Sequence, residues 1–438
     1  MTTPVAAASA AESYIGAFDE LVNRDSGPES VRAQRRAAFD RFAALGFPTT
    51  RNEDWHFTSV SPIADEDFVL LSSRSGDVRR DELDPFRFGA TDWHTMVFVN
   101  GRFEPTLSDV GALSPRVGIR DLRSAWTDDP DAAARVGTIT DWENQSFTAL
   151  NTAFMQDGAV VRIPKDEIVE RPIHLLYVTD ANAAKGMMHP RNLVLVGRNA
   201  SATVIESYVS TSDAMYFTNA VTEVSIEAGA TLRHYKIQRE AHRAFHVGTT
   251  EARQARDSHF VSFSFASGAD LSRTNVYTTL AGEGCGTTLN GLYLLDGEQH
   301  GDHQTQVIHA EPNCFSRELY KGILDGRSHG VFNGKVYVHP IAQKTDGKQT
   351  NNTLLLSATA HIDTKPQLEI FADDVKCTHG ATVGQIDRTA LFYLESRGIN
   401  AAQARRLLTY AFAADVLETI EVAAVKDGLE SMTLERFV

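Results

Sequence analysis

The order of apolar and polar residues divides the chain into three textures, and the first follows a helical period. Tyr14, Ile15, Phe18, Leu21 and Val22 share one face, and Ser9 with Glu12 ahead of them matches a capping box. Gly27-Pro28 breaks that helix. A second is expected from about Glu29 to Leu45, with Val31, Phe39 and Phe42 on its apolar side and Gly46 then Pro48 ending it. Thr95–Val99 alternates into Asn100-Gly101, the dipeptide of a two-residue hairpin turn. From Gly111 to Trp142 the pattern is mixed and polar, which predicts loops and short helices.

The second texture runs from about Phe147 to Leu368 and consists of short β-rich runs separated by Gly, Asn, Asp and Pro. Among them are Val160–Ile163, Ile173–Val178, Thr203–Tyr208, Leu232–Ile237, Leu289–Leu295, Gly330–Val338 and Leu354–Ser357. Ser201-Ala-Thr-Val-Ile and Gly229-Ala-Thr-Leu-Arg lie 28 residues apart, within the range of a structural repeat, and Gly268-Ala-Asp-Leu-Ser is a third such start. So many strands without intervening helices exclude a βαβ fold. A sandwich, a barrel and a stacked parallel β-helix remain, and the scarcity of hairpin dipeptides favours the β-helix.

After Gly384 the helical period returns. Asp387 is positioned to cap a run containing Leu391, Phe392 and Leu394, and Gly398 suits the left-handed residue past its end. Asn400 caps the next, where Ala404, Leu407, Leu408, Ala411 and Phe412 follow the i, i+3, i+4, i+7, i+8 rule. Val416 and Ile420 read as a third helix, and Leu429, Met432 and Phe437 as a short last one. Helices here would cap a solenoid whose terminal rung otherwise exposes strand edges. The chain thus divides into a helical region at 1–90, a mixed connection at 91–145, a β-helical core at 146–384 and a helical region at 385–438.

Composition narrows the function. The chain has 438 residues, 42% hydrophobic and 23% charged, enough for a large core. A formal net charge of −15 argues against nucleic-acid or anionic-membrane partners, which require clustered Lys and Arg. No signal peptide and no membrane span are expected, since no basic n-region precedes the early Glu12 and no long unbroken apolar window occurs. Three widely spaced cysteines, Cys285, Cys314 and Cys377, suggest free thiols and a cytoplasmic setting.

Motifs for catalysis are missing. Gly334-Lys335 is followed by Val336, so no phosphate cradle with its magnesium-binding hydroxyl is present. The glycines of Gly282-Glu-Gly-Cys-Gly have the spacing of a tight turn, not of a dinucleotide fingerprint, and neither a Gly-x-Ser-x-Gly elbow nor a Cys-x-x-Cys pair occurs. What remains is Cys377 and His379. On an extended segment they face the same way, with Cα atoms roughly 6.5–7 Å apart. Thiolate and imidazole can share one metal ion at about 2.3 Å and 2.0–2.1 Å. Two ligands make half a tetrahedral site, and a lone Cys is more often a small buried hydrophobe. Asp373 and Asp374 either add hard oxygen ligands or guard a strand edge with charge. His300 with Asp302, and His303 with His309, are expected on opposite faces of one strand, as polar ladders or as ligands. The charges around Trp55 in Arg51-Asn-Glu-Asp-Trp-His read as a rim about one packed aromatic.

Several stretches together resemble one family. Val331-Phe-Asn-Gly-Lys-Val, Ala342-Gln-Lys-Thr-Asp and Thr364-Lys-Pro-Gln-Leu-Glu-Ile lead into Ala372-Asp-Asp-Val-Lys-Cys-Thr-His-Gly-Ala-Thr-Val-Gly-Gln and Leu391-Phe-Tyr-Leu-Glu-Ser-Arg-Gly-Ile. These are similar to the SufD scaffold family of the SUF iron–sulfur cluster assembly machinery, specifically over about 289–412 and more weakly at Arg51–Trp55, Leu150–Phe154 and Arg171–Ile173. The resemblance implies a mainly β fold, a central right-handed parallel β-helix flanked by N-terminal and C-terminal helical domains. It implies pairing with the paralogue SufB through the β-helix ends and recruitment of the ATPase SufC through the C-terminal helices, with a homodimer as an alternative for the isolated chain. On this chain the interface histidine of the family falls on His379 beside Cys377, and the ATPase contact falls on Leu391, Phe392, Tyr393 and Arg397. No stably bound cofactor is implied, only transient iron or an iron–sulfur cluster shared with SufB, and no catalysis beyond the partner's ATPase. Neutral imidazole is the ligating form, so assembly would weaken as pH falls through the histidine range. Thr378 stands where Ser is more usual, and Glu395 where an Arg is common, which alters a charge contact towards the ATPase. A SufB-type chain would carry Glu-His at this junction, and a β-helical carbohydrate-active enzyme would need paired carboxylates in a groove.

Overall fold

The computed structural model describes residues 5–24, 27–71, 76–111 and 113–436, with side chains from Tyr14 onward. Its centre is a β-solenoid of about eight turns. Strands alternate between two sheets, so that each turn contributes one strand to each. The first sheet ends with Phe217–Ile226, Phe245–Gln254, Leu271–Leu280, His300–His309, His329–Val338 and His361–Ile370. The second runs from Ser201–Ser210 through Thr231–Arg239, His259–Ser267, Gly286–Leu295, Phe315–Leu324 and Asp346–Leu355 to Lys376–Gln385. All of these pairings are parallel. Period-two alternation sends Val194, Val204, Leu232, Phe260, Leu289 and Phe332 into one core between the sheets.

The hairpin at Asn100-Gly101 forms as read, both residues having positive φ (49° and 78°), and it pairs His94–Val99 with Arg102–Phe103 at the start of the second sheet. The helix Glu29–Leu45 and its Gly46 end also match, with the Gly46 N–H donating to Phe42 O at 2.8 Å. The first helix begins at Val5, so Ser9 lies inside it; the side chains of the expected capping box fall outside the described residues. Gly282 lies in a tight turn, where a Cβ would come within 2.1 Å of the Arg256 backbone.

Five expectations are corrected. Ser201 pairs with Thr231, not with Gly229, so the two small-residue starts are offset by two positions; an even offset keeps the inward set inward and so costs no burial. Gly268-Ala-Asp-Leu-Ser opens a strand of the other sheet. The run read at Leu354–Ser357 is the end of Asp346–Leu355, whose earlier positions are too polar to stand out. The C-terminal region holds three helices, Arg388–Ser396, Ala401–Leu417 and Ala423–Arg436: Val416 lies in the second, Ile420 in the turn after it, and Phe437 outside the described residues.

The fifth correction concerns the solenoid end. The C-terminal helices do not cover it. Ala413, Val416, Leu417, Val425 and Leu429 pack on the outer face of the second sheet, against Ile205, Tyr235, Phe263, Leu292 and Ile323. Lys321 donates to Phe412 O at 2.7 Å and lies over the Phe412 ring. The outer face of the first sheet is covered by the N-terminal helices and Ser146–Phe154, through Tyr14, Phe42, Leu150, Phe154, Phe217 and Phe245. Burying two apolar outer faces outweighs covering one rung end, because each face offers a continuous strip of apolar area.

Candidate functional site

The last rung is therefore open. Lys376–Gln385 stands at the edge of the second sheet and His361–Ile370 at the edge of the first. Phe371 is 56% exposed and Val383 50% exposed, with Ile370 beside them at 36%. Two ten-residue edge strands with apolar side chains in water form a surface that isolated proteins normally protect.

Register fixes where Cys377 and His379 point. His379 pairs with Gln349, Gln349 with Glu318 and Glu318 with Leu289, one column of inward positions. Cys377 pairs with Gly347, and a Cβ on Gly347 would meet Cys377 Sγ at 3.4 Å and Ser316 Oγ at 3.5 Å. Both side chains thus lie on the lumen side of the terminal strand, with no further rung above them. His379 is exposed, whereas Cys377 is half-buried against Val336, Val338 and Leu368. Beneath His379 the column is polar: Gln349 Nε2 donates to Glu318 Oε2 at 3.4 Å, and Thr305 Oγ1 donates to the same oxygen at 2.6 Å.

Burial pushes the Cys377 thiol above its ordinary pKa, helped by the nearby Asp346 carboxylate and opposed by a hydrogen bond from the Gly347 backbone. In the free chain the thiol is held protonated, so a ligating thiolate requires a positive charge brought in from outside. Asp374 is engaged by Lys344, and its backbone N–H donates to Gln343 Oε1, so the acid is held in the turn before the strand.

Two residues separate the terminal strand from the helix Arg388–Ser396, which Asp387 caps by accepting from the Thr389 N–H. This helix has no buried residue. Phe392 is 70% and Tyr393 56% exposed, with Arg397 over the Tyr393 ring and Leu391 half-buried. Phe392 and Tyr393, with Leu391 partly exposed beside them and Arg397 at the C-cap, therefore form an uncovered surface joined by a short link to the strand of His379.

A profile of the SUF system FeS cluster assembly SufBD core domain matches residues 177–412, and one of the SufBD protein N-terminal region matches residues 8–175. The chain belongs to the SufBD family. It is 35% identical to the iron–sulfur cluster assembly protein SufD of Escherichia coli, over 96% of this chain and 95% of that protein. A SufBD family iron–sulfur cluster assembly protein of Synechocystis is 36% identical over 90% of this chain and 89% of its own. SufD of Bacillus subtilis is 30% identical over 68% of each.

The SufBD core takes in the open rung, the terminal strand and the exposed helix. The Arg51–Trp55 motif belongs to the SufBD N-terminal region and acts in packing: the Arg273 guanidinium stacks 3.7 Å from the Trp55 ring and donates to Asp54 O and to Asp302. His300 and Asp302 face out to this segment, whereas His303 stacks on Tyr293 and His309 bonds Ser316 inside, the division expected from alternation. Sequence reading missed His329 and His361, which lie 32 positions apart and meet only through strand register. Among the described residues no helix is long and apolar enough to cross a membrane.

Proposed function

We propose that the chain is a non-catalytic SufD-type scaffold subunit of an iron–sulfur cluster assembly complex. Its open solenoid end pairs with a SufB-type paralogue, and His379, with Cys377 beside it, completes a ligand set for the nascent cluster at that seam. The observation that carries this reading is the open end itself: an inward-facing imidazole on a terminal rung has ligand geometry only when a second protein supplies the missing side. Iron and sulfide are cargo here, taken up transiently; neutral His379 is one ligand, and Cys377 joins as thiolate once the incoming cation lowers its pKa.

The exposed helix Arg388–Ser396 suits an ATPase partner of the SufC type through Leu391, Phe392, Tyr393 and Arg397. Its two-residue link to the terminal strand gives the coupling a short path. Movement of the helix on nucleotide-driven closure of the ATPase would shift the strand carrying His379 and open the seam to iron and sulfur. Activity in nucleotide hydrolysis lies with that partner.

Co-expression with SufB and SufC partners followed by iron and sulfide assay tests the proposal. His379→Ala should give an assembled complex of normal size with cluster yield reduced at least tenfold, because an exposed imidazole carries no fold. Wild-type cluster yield from that variant would refute the role of His379, and failure of the chain to co-purify with either partner would refute the scaffold reading.

A further inference from the structure

A second group of potential ligands lies away from the open lumen, on the outer face of the first sheet. His300, His329 and His361 occupy one register position on three successive strands, so their rings lie side by side, edge-on and tilted, at 4.7 Å and 4.9 Å between centroids. Asp363, two residues beyond His361, shares that outward face. Its Oδ2 lies 2.8 Å from His329 Nε2 and 3.2 Å from His361 Nε2. Two imidazole nitrogens thus aim at one point, and the donor atoms of all three residues lie within 4.8 Å of one another.

His300 shapes this group without belonging to it. The Thr58 hydroxyl donates its proton to Asp302 Oδ2 at 2.7 Å, so Thr58 Oγ1, 2.9 Å from His300 Nε2, accepts that ring's N–H. The His300 ring, held by Thr58, lies edge-on to His329 at 82° and packs against it. A ligand held in orientation by a fixed neighbour is a feature of built metal sites. The exposed ring of His361, at 64%, leaves coordination positions to water or an incoming ligand.

We propose that His329, His361 and Asp363 form a binding site for one divalent first-row transition ion, distinct from the Cys377/His379 pair and independent of the function argued above. Two imidazoles and one carboxylate are a borderline donor set, which selects zinc or ferrous iron over calcium or magnesium. Metal–nitrogen bonds of about 2.0–2.1 Å would draw these donor atoms in around one ion, and the strand ladder holds the residues that carry them side by side. The ion would replace the N–H···O contacts between the imidazoles and Asp363, taking Nε2 of each neutral ring and one carboxylate oxygen.

The experiment is a zinc titration by calorimetry on the chelator-stripped full chain carrying Cys377→Ser/His379→Ala, repeated with cobalt for its visible absorption. One equivalent should bind, with the cobalt spectrum of a nitrogen and oxygen site. Adding His361→Ala or Asp363→Asn should weaken binding by at least about tenfold. Both positions are at the surface, and an unchanged circular dichroism spectrum verifies that the fold survives. Absence of saturable binding, affinity undiminished from the parent chain in the His361→Ala and Asp363→Asn variants, or magnesium competing as well as zinc would each overturn the proposal.

Discussion

The two ends of the solenoid use one rung design and finish it in opposite ways. At the first end the sheets close with the antiparallel strands Arg102–Phe103 and Gly118–Asp121, and close to it, on the outer face of the first sheet, a buried polar cluster joins helix, loop and strand. Arg191, wholly buried, spends all five N–H donors there: two bonds go to Glu223 at 2.9 and 2.6 Å, and the others to Asn151, Thr152 and Thr140. Glu223 also accepts from the Gly137 and Ile139 backbone and so pins the loop over the sheet. At the last end Phe371, His379 and Val383 face water. One end is an interior finished within the chain. The other has the composition of an interior and lacks its second half.

The largest effect expected from this contrast is at the closed end. Arg191→Ala should cost about 3–5 kcal/mol in urea unfolding, because Glu223 is left as an uncompensated buried charge. Arg191→Met together with Glu223→Leu should recover only part of that loss, since it removes the lone buried charge but leaves the Gly137 and Ile139 N–H groups without their acceptor. A loss under about 1 kcal/mol for Arg191→Ala would mean that water reaches this end too, and the distinction between the ends would fail.

An intermediate effect lies between the ends, on the column that leads to His379. Deeper in the solenoid the buried Glu206 has His234 at 3.0 Å and Thr222 at 2.8 Å. Glu318, nearer the open end, has only neutral partners, and burial pushes its carboxyl up to about 7 against the hydrogen bonds from Thr305 and Gln349. Because the folded pKa is raised, stability from this group is complete while the unfolded chain is also protonated. It is lost as pH rises from the ordinary glutamate range through about 7. Glu318→Gln should therefore be near neutral at pH 4.5 and gain about 2–3 kcal/mol over wild type at pH 8, read from urea midpoints. An equal effect at both pH values would place a compensating charge beside Glu318.

The contrast was only partly legible in the sequence. Local chemistry reads well: Asn100-Gly101, the helix Glu29–Leu45, and the caps at Asp387 and Asn400 all depend on residues within a turn of one another. Strands such as Phe315–Leu324 did not stand out, because the inward positions Ser316 and Glu318 are polar and break the alternation that signals a strand. Cys377 and His379 were found because they are adjacent on one strand. His329, His361 and Asp363 were not, because only the register of two strands brings them together. The open end was misread for a related reason. The stripe Ala404, Leu407, Leu408, Ala411 and Phe412 predicts the helix but not its buried face, which is Ala404, Thr409, Ala413, Val416 and Leu417 with Leu407 45% exposed, because its seat on Ile205, Tyr235 and Phe263 is set by residues more than 130 positions away.

The smallest change in stability is expected where the largest change in association is. Val383→Glu, on the terminal strand, should leave the urea midpoint within about 0.5 kcal/mol of wild type, since the side chain is half in water and displaces no packed neighbour. The same charge placed among unpaired strand edges opposes any chain that adds there. In the isolated protein a second copy is the available stand-in for the partner. Sedimentation at rising concentration should therefore give a dimer for wild type and a monomer for Val383→Glu. With SufB present, the variant should lose the complex while keeping its fold. Strong destabilisation by Val383→Glu would make the last rung an ordinary core, and a dimer that survives it would move the interface elsewhere.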